Sequence, residues 1–111
     1  MSKLRKTSSG GVIFQCPGCN GYHSLAIRRP PPDEVHPSWE FNGNFDKPTF
    51  QPSILSRRWR KGEGQPPDVC HSFVRDGMIQ FLNDCTHALA GKTVEIPDWP
   101  HAAGEFWGIE E

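Results

Sequence analysis

The chain has no apolar run approaching the roughly 18 residues that a membrane-spanning helix needs. Its start, MSKLRKTSSGG, has basic residues but no apolar stretch after them, so no export signal is expected and a cytoplasmic location is. Hydrophobic residues are scarce, at 35% of 111, and Leu, Ile, Val and Phe together make up about a fifth of the chain. That lies just above the level at which disorder sets in. An excess of one charge is missing too. The formal net charge is −1, so no global basic field draws the chain to nucleic acid. No repeat and no second domain are visible.

Turn chemistry is what the sequence has in plenty. Gly and Pro supply 11 residues each, well above the usual combined share of about 12%. This excludes a bundle of long helices and predicts short strands joined by many turns. One domain, residues 1–111, is expected, with a flexible tail at 1–10 and an aromatic tail at 98–111. A lean core in so short a chain calls for a metal or disulfides. Four cysteines are present, Cys16, Cys19, Cys70 and Cys85. In a reducing compartment they favour metal-holding thiolates over disulfides.

Hydrophobic alternation places the strands. Residues 11–16 (GVIFQC) and 22–29 (YHSLAIRR) read as a hairpin around Cys16-Pro17-Gly18-Cys19, with His23, Leu25 and Ile27 on one face of its second strand. Pro30, Pro31 and Pro32 end that strand. Residues 38–42 (SWEFN) form a short strand. Residues 49–55 (TFQPSIL) are extended, and Pro52 argues for an edge strand or a bulge there. The clearest signal is Asp76-Gly77 between residues 69–75 and 78–83, the dipeptide of a type I′ hairpin turn. That turn sets Arg75 against Met78 and His71 opposite Leu82. Asp84 can cap a short helix over 85–90, closed by Gly91, and 92–96 is a last strand. Trp99, Phe106 and Trp107 are expected to strap across the domain.

The chemistry is concentrated in Cys and His. A Cys-x-x-Cys knuckle directs two sulfurs at one tetrahedral Zn²⁺; thioredoxin-like redox use competes, but needs a helix N-terminus that a β-hairpin does not offer. The simplest closed set is Cys16, Cys19, Cys70 and Cys85, with His71, His87 or His23 as substitutes. Cys70 and His71 are neighbours on a strand and face apart, so at most one of them is a ligand. As an alternative, Cys70 and Cys85 are small buried hydrophobes. Were the ion to keep a water, Asp84, Asp68 and Glu40 are candidate bases and His71 or His87 candidate proton carriers. Neither an HExxH nor a deaminase-type motif is present, and no catalytic residue is assigned. Residues 48–54 (PTFQPSI) suggest no chemistry; Thr49 and Ser53 are expected to bond locally.

Charge is unevenly spread. Residues 1–61 hold ten Lys and Arg against four acids, and residues 62–111 two against nine. Arg57, Arg58, Trp59, Arg60 and Lys61 offer a phosphate-contacting patch with a stacking aromatic, or a solvated hairpin end paired with the acidic half.

The blocks CPGCxxxH (16–23), WxFNG (39–43), PTFQPSIL (48–55) and CHSFVRDGMIQFLNDCTHALAG (70–91) resemble a small phage and prophage family, a domain of unknown function. Its members are often labelled ammonia monooxygenase, a membrane enzyme that this chain cannot be. The resemblance implies a phage origin and a bacterial host, and supplies no activity. The expectation is a mainly β protein, a small antiparallel sheet of hairpins with one short helix, stabilised by a zinc site. Its expected role is accessory, binding a host or phage protein. A zinc-dependent hydrolase with an open coordination position and a nucleic-acid-binding, zinc-ribbon-like protein are the alternatives.

Overall fold

A computed structural model describes residues 2–19, 21–29, 32, 37–58, 67–100 and 109–110. Among the described residues, nine strands form two antiparallel sheets. The first has the order β3-β2-β1-β9, from β1 (Leu4–Thr7), β2 (Val12–Gln15), β3 (Tyr22–Leu25) and β9 (Ile109–Glu110). The second has the order β4-β5-β6-β7-β8, from β4 (Glu40–Phe41), β5 (Phe50–Arg58), β6 (Asp68–Arg75), β7 (Met78–Phe81) and β8 (Thr93–Glu95).

Period-two patterning decides which face of each strand is buried. Val12 and Phe14 of β2 and His23 and Leu25 of β3 turn inward from the first sheet. Cys70, Ser72 and Val74 of β6 and Ile79 and Phe81 of β7 do so from the second. They meet in one core with Leu4, Phe50 and Ile54, where the Phe14 and Phe50 rings stack at 6.3 Å. The arrangement is a small two-sheet sandwich. No helix among the described residues is long and apolar enough to cross a membrane.

The Asp-Gly hairpin forms as the sequence indicates. Asp76 and Gly77 both have positive φ (50° and 79°), the requirement of a type I′ turn, and Arg75 pairs with Met78. Pro52 marks a bulge, not an edge, because β5 lies between β4 and β6. Phe50 pairs with Val74 and Ile54 with Ser72, so four steps along β5 match two along β6 and β5 carries two extra residues. This irregularity becomes important at the site.

Two expectations need correction. Residues 4–7, assigned to a flexible tail, form β1, because buried Leu4 belongs to the core and the strand pairs with both β2 and β9. The short helix over 85–90 is absent. Thr86 is instead tied to β6: its N–H donates to the Val69 carbonyl (3.0 Å) and its Oγ1 accepts from the Val69 N–H (2.9 Å). Those bonds hold the backbone beside the strand, and only isolated turns follow, ending at Gly91 with φ 78°. In the aromatic tail, Trp99 is buried and its N–H donates to the Ser2 carbonyl (2.9 Å), while Phe106 and Trp107 lie outside the described residues.

Candidate active site and metal-ligand cluster

Strand β6 has chemistry on both faces. Inward, Cys70 joins the hairpin of β2 and β3. Cys16 and Cys19 flank the knuckle after β2, and His23 enters because it pairs with Phe14 and shares its inward face. Cys16 Sγ lies 3.7 Å from Cys70 Sγ, and His23 Nε2 lies 3.6 Å from Cys19 Sγ and 3.5 Å from Cys70 Sγ. All four ligand atoms fall within 4.8 Å of one another, a group that could hold a metal ion.

Crowding of these donors shifts their protonation. The hydrogen bond with Cys16, then that with Cys70, holds the Cys19 thiol far below its ordinary value. Hydrogen bonding with Cys16 and Cys19 pushes Cys70 strongly up, since further thiolates are resisted at one spot. For His23, burial pulls the pKa down, yet hydrogen bonds with Cys16 and Cys19 outweigh it and raise the value from 6.5 to about 9. Without an ion, therefore, the cluster retains protons that a metal would have to displace.

The other expected ligands lie elsewhere. Cys85 is not in the cluster: its Sγ bonds the backbone of His71, at 3.2 Å from the nitrogen and 3.1 Å from the carbonyl oxygen. The chain turns after β7 and brings Cys85 level with His71, on the flank of β6 and not beneath it. His87 packs edge-on against Phe81 at 4.5 Å and accepts at Nδ1 from the Leu89 N–H (3.2 Å). Its ring lies against Gly18, where any side chain would collide with it. His71, one residue from Cys70, points to the outer face, as strand alternation requires.

On that outer face stands a second constellation. His71 Nε2 lies 3.1 Å from Ser53 Oγ, and His71 Nδ1 lies 3.0 Å from Asp84 Oδ2. An ionised carboxylate only accepts, so Nδ1 carries the proton and the Nε2 lone pair is left to accept from the Ser53 hydroxyl. Leu55 pairs directly with His71. Ser53, two residues earlier and within the bulge, is therefore a diagonal neighbour on the same face. The Trp39 indole N–H donates to the Ser53 carbonyl (3.3 Å) and fixes the bulge from behind. Asp84 follows β7 in the turn that leaves the ladder. His71 and Asp84 side chains are 24% and 56% exposed, so the site is open to an incoming chain. Beside it, Phe73 and Arg75 continue the outer face of β6 along a cleft of about 500 Å³ that Pro52, Arg28 and Glu40 also line.

This is the arrangement of a serine hydrolase: a hydroxyl, an imidazole and a carboxylate in one hydrogen-bonded line. The comparisons agree. Over residues 2–82 the chain matches the BubE family, described as a bacterial ubiquitination-like system serine protease, and it belongs to that family. The match includes Ser53 and His71, and Asp84 follows two residues beyond it. No curated protein and no solved structure matches the chain.

The family assignment overturns the expected role. An accessory protein acting only by binding gives way to a protease family, and neither the zinc-dependent hydrolase nor the nucleic-acid-binding alternative fits better. Of the resemblance, a small bacterial family with a Cys/His cluster stands, and the family is the one just named. Of the basic patch, Arg57 is exposed on β5, the Arg58 side chain is not described, and Trp59, Arg60 and Lys61 lie outside the described residues. Among the candidate bases, Glu40 pairs with Arg28 (3.2 Å) and Asp68 lies at the start of β6.

The sequence offers His71 or His87 as proton carriers and Asp84, Asp68 and Glu40 as bases for a metal-bound water, and it does not reveal Ser53. Ser53 has no glycine-rich elbow around it. Its one signal was Pro52, the mark of a bulge, and bulges re-aim side chains.

Proposed function

We propose that this chain is a serine protease acting on protein conjugates or precursors of a bacterial ubiquitination-like system. The observation that carries the reading is His71, which touches Ser53 through one ring nitrogen and Asp84 through the other, at 3.1 and 3.0 Å. In the reaction, Ser53 Oγ attacks the carbonyl carbon of the scissile bond while its proton passes to His71 Nε2. Asp84 accepts from Nδ1–H and so keeps Nε2 aimed at the serine, and its charge stabilises the imidazolium. Collapse of the tetrahedral adduct breaks the bond to the leaving amine, which takes the proton from Nε2. Water then loses a proton to Nε2, attacks the Ser53 ester, and releases the acid and the free hydroxyl.

The cluster of Cys16, Cys19, His23 and Cys70 suits zinc. A tetrahedron with zinc–sulfur bonds of about 2.3 Å and zinc–nitrogen bonds of about 2.05 Å has sulfur–sulfur edges of about 3.8 Å and sulfur–nitrogen edges of about 3.6 Å. The separations of 3.7, 3.6 and 3.5 Å match those edges. Cys16, Cys19, His23 and Cys70 would supply four ligands to such an ion, which would then tie the β2–β3 hairpin to β6. Thiolate ligands also suit a reducing compartment.

The test is chemical. A fluorophosphonate probe incubated with the full chain should label one residue, Ser53, by peptide mapping. Labelling should vanish in Ser53→Ala and in protein unfolded beforehand. Labelling elsewhere, or none in the folded chain, rules the reading out. Elemental analysis of the native protein should give one zinc per chain.

A further inference from the structure

Cys85 is a buried thiol that neither the nucleophilic chemistry nor the metal cluster uses. Its position is specific. Where β6 and β7 part, the Leu82 N–H donates to the His71 carbonyl (2.9 Å), but the reciprocal bond that an antiparallel pair would make is lost. The Leu82 carbonyl has turned away to accept from the Cys85 N–H (3.2 Å). The Cys85 side chain occupies that place in the ladder. Its sulfur accepts from the His71 N–H at 3.2 Å, and its S–H donates to the His71 carbonyl at 3.1 Å.

Both backbone groups of the base are thus bonded by one side chain, and that side chain belongs to the residue directly after Asp84. The divergence of the chain at residues 82–84 is what lets Asp84 reach His71 Nδ1, and it is also what breaks the ladder under His71. Sulfur spans the break. We propose that Cys85 is a positioning residue of the hydrolase: a thiol clamp that sets the separation of His71 from Asp84 and thereby the aim of Nε2 at Ser53. The inference rests on the protease reading. Thiols are weak donors and weak acceptors. The clamp therefore contributes through geometry more than through bond strength, and a 1 Å displacement of a catalytic group can cost about a hundredfold in rate.

The experiment compares the full-length, metal-loaded wild type with Cys85→Ala and Cys85→Ser. Three properties are read: the rate of fluorophosphonate labelling, hydrolysis of p-nitrophenyl acetate resolved into kcat and KM, and the far-downfield proton resonance of the His71–Asp84 hydrogen bond. Cys85→Ala should label about ten- to a hundredfold more slowly, lower kcat with KM unchanged, and lose or broaden the resonance. Cys85→Ser keeps a donor and an acceptor at shorter reach, so it should recover part of each. Equal labelling rates and an intact resonance in a folded Cys85→Ala overturn the clamp while leaving the protease reading standing. Should Cys85→Ala fail to fold, the folded Cys85→Ser decides: an unaltered rate and resonance overturn the clamp, and an intermediate rate upholds it. A wild type that the probe does not label at Ser53 ends the protease reading, and the clamp with it.

Discussion

The two faces of β6 use adjacent residues for opposite ends. Inward, Cys70 is 5% exposed and lies among three other ligand atoms beside a pocket that Cys19 and His23 also line. Outward, His71 is partly exposed between a serine and a carboxylate, where a substrate can arrive. The lesson is about parity. Because a strand alternates its side chains, a single peptide step separates a rigid anchor from a reactive group. Whatever fixes Cys70 in the interior also fixes the backbone on which His71 stands.

The comparison can be broken most severely on the outer face. Ser53→Ala should reduce hydrolysis by about 10⁶-fold, as loss of a serine nucleophile does elsewhere, while metal content and melting temperature stay put. A variant that lost zinc along with activity would contradict the separation of the two faces. Asp84→Asn should cost about 10⁴-fold, because an amide can stabilise the wrong imidazole tautomer. Against the spontaneous hydrolysis of p-nitrophenyl acetate, both variants should read as background, and single-turnover labelling by the fluorophosphonate separates them.

Breaking the inner face should give the reverse order of effects. Cys16→Ser removes one of three cysteine ligands on the face of β6 opposite His71. It should release the ion and cost on the order of several kcal/mol of stability, measured by elemental analysis and thermal melting. Activity should fall only as far as the fold loosens. Each kcal/mol lost shifts the melting point by about 4–8 °C in a domain of this size.

The smallest effect sharpens the comparison through pH. In the metal-free chain the His23 pKa rises on folding from 6.5 to about 9. A raised value stabilises the fold fully below the unfolded pKa, and that contribution is lost as pH climbs through the folded one. Cys19, held far below its ordinary value, works in the opposite sense up to its unfolded pKa, so the two offset each other. Metal-free protein should therefore melt lower only above about pH 9, where the fold keeps Cys70 protonated. With zinc bound the trend should reverse, since protons compete with the metal for His23 and the thiols as pH falls. A chain whose melting point ignores both pH and metal would show that the four residues carry no ion.

Much of this fold was legible because alternation and turn chemistry are local. Asp76-Gly77 announced its hairpin, and the inward set of β3, with His23 and Leu25, followed from period two. Leu4 was hidden by its polar neighbours: nothing in LRKT shows that β1 is sandwiched between two partners. The cluster was half visible. Cys16, Cys19 and Cys70 lie where the reading placed them together, but the choice between Cys85 and His23 depended on how the chain leaves β7, a tertiary matter. The triad was least visible. Its members are spread over residues 53 to 84, and the serine lies in a segment that looked chemically silent because its meaning arises only from the register against β6.

That register has a further consequence. The bulge adds two residues to β5, and two is even, so every side chain beyond it keeps its facing. A shortened chain lacking Pro52 and Ser53 would pair Phe50 and Ile54 with the same partners in an unbroken ladder. It would make a tidier sandwich and an inert one. On the protease reading, catalysis would reside in a removable irregularity, which marks the segment as the place where an active hydrolase and a silent look-alike of the same architecture would part company.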